Sequence, residues 1–288
     1  MHKVRHRDGD AEEVIAELNI GGQKVRAALD RGVSLAIAVE FGSPGPRHFG
    51  APAPIAIPYS VGGFSGSVAT GASCNCSVMS LNPHCQMTHT ESVAHLTRES
   101  GDTWRVVPRG LLPAVVVSVI PEPARESNES TDPQPWATDE LITKRRLRAA
   151  WPMSHPSRSN IEPVAAIIRT LPNDPGKRTR DYTDLIPPYL TREAVEWLVE
   201  KRIEHLVLDV PSVDRTHDEG HLVGHRLFFG LPPGSRARGD AARSRATVTE
   251  LAFVPDEVAD GPCVLSLAVP AIGGDAVPSQ PIVYPLAP

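Results

Sequence analysis

The stretch Asn82-Pro83-His84-Cys85-Gln86-Met87-Thr88-His89-Thr90-Glu91-Ser92-Val93-Ala94-His95 constrains this chain more than any other. It gathers three of the eleven histidines and a glutamate into twelve residues, and any fold the chain adopts must find partners for them. Extended backbone from His89 to Glu91 places residues two apart on one face, so the imidazole and the carboxylate converge. His84 and His95 lie five residues before and six after His89, near enough for a turn on each side to bring the ring back. Imidazole mixed with carboxylate suits a divalent transition metal such as zinc, manganese or iron, and the small number of carboxylates argues against calcium. Spacing alone leaves a plainer alternative open, a loop that carries surface histidines.

His89-x-Glu91-x-Val93-x-His95, preceded by Thr88 and by Pro83-His84, resembles the H-x-G-T-H-x-D-x-P-x-H signature of the cyclase or metal-dependent hydrolase family, which includes bacterial kynurenine formamidase and isatin hydrolase. A second block is similar to the family's second half, where a histidine and a later acidic residue complete the metal site. It runs Leu208-Asp209-Val210-Pro211-Ser212-Val213-Asp214, then His225-Arg226-Leu227-Phe228-Phe229, then Thr249-Glu250-Leu251. The run Asp275-Ala276-Val277-Pro278-Ser279-Gln280-Pro281 is similar to the family's D-x-S-P-x-R/K-P ending. The chain departs from the signature in four ways: Met87 replaces a glycine, Glu91 an aspartate and Val93 a proline, and the first histidine pair is one residue further apart.

The resemblance implies a swivelling β/β/α-type α/β fold, assembled as a homodimer or homotetramer. It implies that His84, His89, Glu91, His225 and Glu250 hold one or two divalent ions, zinc or manganese. His95 is then the residue that moves a proton between water and the leaving group, since imidazole can both accept and return one near neutrality. The turn-rich segment with Arg47, His48 and Phe49 falls near the pocket mouth, which makes these residues substrate-side candidates; a surface loop pinned to the core is the equal alternative. The activity implied is hydrolysis of an amide carbon–nitrogen bond in an N-formyl arylamine or cyclic amide. Two alternatives stand beside it. One keeps the metal and acts on a lactone or polyketide-like carbonyl compound as hydrolase, dehydratase or cyclase. The other is a non-catalytic relative that binds metal or ligand, favoured by the bulk of Met87 where substrate would approach.

Bulk properties narrow the partners. With 29 basic and 34 acidic side chains the net charge is -5, which does not suit a nucleic-acid or anionic-membrane partner. No apolar run approaches the roughly 20 residues of a membrane span, and Met1-His2-Lys3-Val4-Arg5 leads into charges, so the expectation is a cytoplasmic protein acting on a small molecule. Four cysteines in 288 residues make no disulfide framework; Cys74, Cys76 and Cys85 read as packing residues before a structural zinc site. No G-x-G-x-x-G opens a helix and no G-x-S-x-G elbow occurs.

Apolar runs predict strands over Val33–Val39, Leu111–Ile120, Pro163–Thr170, His205–Val210, Val248–Phe253, Cys263–Val269 and Ile282–Tyr284, with a hairpin around the Gly21-Gly22 turn. The clearest helix covers Thr191–Lys201, where Thr191 can cap and Ala194, Val195, Leu198 and Val199 form one stripe. Residues 1–288 therefore read as one strand-rich α/β domain with a few helices and loop insertions at 121–137 and 231–246. His217 and His221 share a four-residue spacing with His225 but read as exposed.

Overall fold

The computed structural model describes residues 14–20, 23–152 and 162–287; the Gly21-Gly22 turn and the Met1–Arg5 segment lie outside the described residues. The fold is mixed α/β and strand-rich, organised on one nine-stranded sheet. Its strands are β1 (Val33–Ser34), β2 (His89–Glu91), β3 (Leu111–Val119), β4 (Ala165–Thr170), β5 (His205–Leu208), β6 (Thr247–Glu250), β7 (Gly261–Ala268), β8 (Ala276–Pro278) and β9 (Gln280–Pro285). The spatial order is β8-β2-β6-β5-β4-β3-β7-β9-β1. The four central strands β6, β5, β4 and β3 are mutually parallel, and every flanking pairing is antiparallel.

The parallel strands are apolar nearly throughout because both faces of the sheet are covered. Alternation sorts them cleanly. Val115, Val117, Val119, Ala166, Ile168, Leu206 and Leu208 belong to one core cluster, and Ala114, Val116, Ala165, Ile167 and Val207 to the other. The first cluster is closed by the helix α2 (Arg192–Glu200), which follows α1 (Lys144–Ala150) in the chain. The Thr191 hydroxyl accepts the Ala194 N–H at 3.1 Å as an N-cap, and Ala194, Val195 and Leu198 are fully buried. Truncating Leu198 to alanine removes a complete core side chain, a change worth about 2–5 kcal/mol.

The Val33–Val39 run pairs with β9 only over Val33 and Ser34. From Leu35 the backbone leaves the ladder and threads past the end of the sheet. Leu35 O accepts from Phe253 N at 2.8 Å, and Ile37 N donates to Thr88 Oγ1 at 2.8 Å. Thr88 Oγ1 in turn donates to the Leu251 carbonyl at 2.5 Å, so one hydroxyl ties three segments together just before β2.

Between β1 and β2 the chain makes a separate antiparallel hairpin of Ile55–Pro58 with Ser77–Ser80. Cys74 and Cys76 lie near it and are exposed, whereas Cys85 and Cys263 are buried, and all four are free thiols. None joins a metal-capable cluster among the described residues. No described helix is long and apolar enough to cross a membrane.

Candidate metal centre

The site lies where the carboxyl end of β6 meets β2, the region in which open α/β sheets hold ligands. Only three residues long, β2 is clamped on both sides: His89 is register partner of Glu250 on β6 and of Pro278 on β8. His89 and Glu91 face the same way, as extended backbone requires, and both are fully buried. Thr90 points to the opposite face and pairs through its hydroxyl with Thr249 at 2.7 Å. His84 arrives from the single helical turn Pro83–Gln86 and His95 from the 3-10 turn Val93–Leu96, which Ser92 caps. The expected turn on each side of β2 is therefore present.

From the second half come His225 and Glu250. His225 sits on α3 (Val223–Phe229), whose start packs against Asp214. The Asp214 carboxylate accepts the Gly224 N–H at 2.6 Å, the His225 N–H at 3.1 Å and His225 Nδ1 at 2.6 Å. A side chain at Gly224 would meet Val213 at 2.7 Å and Asp214 at 2.9 Å, so only glycine admits this approach. Glu250 is oriented by Val213 N, which donates to Oε1 at 2.8 Å.

These contacts fix which ring nitrogens face the centre. His89 Nδ1 donates to the Met87 carbonyl at 3.1 Å and His225 Nδ1 donates to Asp214, leaving Nε2 of both rings free to point inward. His89 Nε2 lies 3.5 Å from Glu250 Oε2; His225 Nε2 lies 2.8 Å from Glu91 Oε1 and 3.4 Å from Glu250 Oε1. His84 lies between two carboxylates, Nδ1 at 3.2 Å from Glu91 and Nε2 at 2.9 Å from Asp275. His95 Nδ1 lies 3.1 Å from the same Asp275 oxygen and Nε2 3.9 Å from Glu91.

Charge follows from this geometry. Burial pushes the His84 imidazole down, but Asp275 and Glu91 overcome it and raise its pKa to about 10. Burial also opposes the charge on His225, and the Glu91 charge with the Asp214 bond raises it well above the ordinary value. Against its own burial, Glu91 is held well below the carboxylate range by His95 and His225. The bonds from His84 and His95 hold Asp275 well below that range too.

Three sets of donor atoms each fall within 4.8 Å: His84 with His89 and Glu91, Glu91 with His225 and Glu250, and His84 with His95 and Asp275. A divalent cation fits this arrangement. Despite these close approaches, His89 Nε2, His225 Nε2 and both Glu91 oxygens are buried without a hydrogen bond of proper geometry, an unfavourable state unless something else binds them. Shared use of His84 and Glu91 suits one ion or two adjacent ones.

Of the substrate-side candidates, Arg47 pairs with Asp181 at 2.7 Å on the surface. Phe49 is 63% exposed with a positive φ of 51° and lines a cavity of about 800 Å³ that also receives His95 and Trp136. His48 is buried with neither ring nitrogen partnered, and burial lowers its pKa to about 4 against the pull of Glu250. Met87 is buried in the core and is not among the residues lining that cavity. His217 and His221 are exposed, the latter paired with Asp132 at 3.0 Å, and neither joins a metal-capable cluster. A second cavity of about 660 Å³ lies by the Gln23–Ala28 strand and β9, remote from these ligands.

Asp275 and Asp214 are the site residues that the sequence reading did not assign. Both were in view, Asp275 opening the third motif block and Asp214 closing the first part of the second. Asp209, also in that block, serves the scaffold: it is buried and accepts from Thr170 N at 2.8 Å and Lys177 Nζ at 2.7 Å.

The family model described as "Putative cyclase" matches residues 33–215. The chain belongs to the cyclase family. The fold is shared with solved structures at low identity. A potential metal-dependent hydrolase with cyclase activity aligns at 14% identity and TM-score 0.55, covering 90% of this chain and 99% of its own. Isatin hydrolase A from Ralstonia solanacearum aligns at 17% and 0.56, covering 88% and 92%. Isatin hydrolase A from Labrenzia aggregata, bound to benzyl benzoate, aligns at 15% and 0.54, covering 89% and 94%. No curated protein sequence matches at a significant level.

Proposed function

We propose that this member of the cyclase family is a metal-dependent hydrolase that cleaves the carbon–nitrogen bond of an N-formyl arylamine or a cyclic amide. The observation that carries this reading is the buried set of unpartnered donor atoms on His89, Glu91 and His225, converging beside a cavity with aromatic walls. Family membership and isatin hydrolase neighbours support the reaction class, and the benzyl benzoate held by one neighbour supports an aryl substrate.

His84, His89, Glu91, His225 and Glu250 would hold the ion or ions, zinc or manganese. A divalent ion there supplies Lewis-acid polarisation of a carbonyl and makes water nucleophilic near neutral pH. The protein's own part is orientation and proton transfer. Asp275 fixes the His95 ring through Nδ1, so Nε2 is the nitrogen that takes a proton from water and returns it to the leaving nitrogen. His48, buried and neutral at pH 7, offers a ring N–H beside the centre, and Phe49 offers a ring face at the mouth. The proposal includes a small-molecule substrate and a homodimer or homotetramer, supported by the exposed apolar hairpin at 55–80.

The test is elemental mass spectrometry with turnover on formamides, cyclic amides and lactones, for wild type, His89→Ala and His95→Ala. Metal at one or two equivalents, lost in His89→Ala and kept in His95→Ala with turnover down about 100-fold or more, is expected. No metal in wild type after reconstitution, or normal turnover in His95→Ala, would overturn it. A second reading is favoured by the His84, His95 and Asp275 set: His95 as ligand to a second ion, in which case His95→Ala loses one of two equivalents.

A further inference from the structure

The cavity beside His95 has a polar end that the metal chemistry leaves unused. Arg215 and Thr216 follow Asp214 directly, line this cavity, and are each 6% exposed. Arg215 is held rigidly: Nε donates to Asp139 Oδ2 at 2.8 Å and Nη1 to the His217 carbonyl at 2.8 Å. Asp139 is itself fixed by the Tyr189 hydroxyl at 2.9 Å, and the Trp136 ring lies 4.5 Å from the guanidinium carbon. Two of the three guanidinium nitrogens are thus committed. The third, Nη2, and the neighbouring Thr216 Oγ1 are shut off from solvent with no partner.

Leaving one such group unpaired is unfavourable, and here two occur on consecutive residues of one cavity wall. A guanidinium N–H can only donate and a hydroxyl can donate, so an acceptor oxygen suits each of them. Trp136 and Phe49, both largely exposed on the same cavity, supply aromatic faces.

We propose that Arg215 and Thr216 bind a carbonyl or carboxylate oxygen carried by the aromatic part of the substrate, whose ring lies against Trp136 and Phe49. This rests on the hydrolase reading and adds a second anchor to it: a substrate held at this end presents its scissile bond to His95 in a restricted set of orientations. Arg215 and Thr216 are positioning residues in that scheme.

Isothermal calorimetry with benzoate, benzamide and benzyl alcohol tests this on the full chain, comparing wild type with Thr216→Val and Arg215→Lys after checking metal content and melting. Benzoate and benzamide are expected to bind at least about tenfold more tightly than benzyl alcohol, and Thr216→Val to weaken both about tenfold with metal content unchanged. Benzoate ahead of benzamide identifies a carboxylate; equal affinities identify a carbonyl. No binding to wild type overturns the proposal. Binding that Thr216→Val leaves unchanged does so too, as for benzoate seated on the metal alone. If Arg215→Lys fails to fold because Asp139 loses its partner, Thr216→Val decides alone. Binding is read without turnover, so a protein that binds benzamide through Thr216 yet hydrolyses nothing would overturn the hydrolase reading and leave this one standing.

Discussion

The ligand cluster around β2 and the hairpin of Ile55–Pro58 with Ser77–Ser80 depart from the usual partition of side chains in opposite directions. The first buries charge: Glu91, His225 and Glu250 are all less than 5% exposed. The second exposes apolar surface: Ile55, Ile57, Val78 and Met79 are each between 48% and 62% exposed. Buried charge persists where it is paired or bound to an ion, and a patch of exposed apolar side chains marks a surface that something covers. A two-stranded hairpin with no core of its own is also marginal in water. On the proposed reading one region is completed from inside by a small ion and the other from outside by a second copy of the chain.

The largest expected effect would break the second half of this comparison. Ile57→Glu with Val78→Lys, register partners on one face, places charge on both strands and should convert the proposed homo-oligomer to monomers, read by light scattering, while metal content stays constant. An unchanged mass would mean that the hairpin is not the interface.

The next concerns a buried histidine at the opposite end of β6 from the ligand cluster. His205 opens β5 and bonds Thr247 at the start of β6 at 2.9 Å, and burial lowers its pKa to about 4. The folded pKa lies below the unfolded value near 6.5, so the unfolded chain binds the proton more readily. Stability from this group is therefore complete above about pH 6.5 and is lost as pH falls toward 4. Between pH 7 and pH 5 the loss is about 2 kcal/mol. Urea denaturation at both values should show it in wild type and a flatter dependence in His205→Gln; equal slopes would contradict the assignment.

The smallest effect sharpens the first half. Asp214→Asn keeps one acceptor oxygen, enough for the Gly224 N–H or for the His225 groups but not for both, and removes the charge behind the His225 ring. Metal affinity should fall about 10- to 100-fold by competition with a chelator. An unaltered affinity would mean that Asp214 serves α3 alone.

Much of this was legible in the sequence because it depends on local rules. The β3, β4 and β5 runs are apolar on both faces, Thr191 caps α2 where predicted, and the alternation of His89 and Glu91 turns both inward. The hairpin was not legible: its apolar residues are those of a core strand, and nothing local says that they face outward. The strand expected over Val33–Val39 is shorter in the fold: ladder pairing covers Val33 and Ser34, Leu35 N makes one further bond to Pro281 O, and Leu35 and Ile37 are apolar because they pack in the core rather than because they belong to the sheet. Asp275 stands in a recognisable motif, but its role is a contact across the fold that no local pattern encodes: it meets His84 at a separation of 191 residues.

That separation has a consequence for synthesis. While the chain is being made, the residues from His84 to His95 emerge long before Glu250 and Asp275, so the earliest encounter with an ion offers only a partial and flexible set of donors. The clamp on β2 between β6 and β8 forms only once the chain has been made through β8. Any choice among competing metals would therefore belong to the completed site, and a truncated product that ends before α3 would carry the recognisable motif without the proposed ligands from the second half.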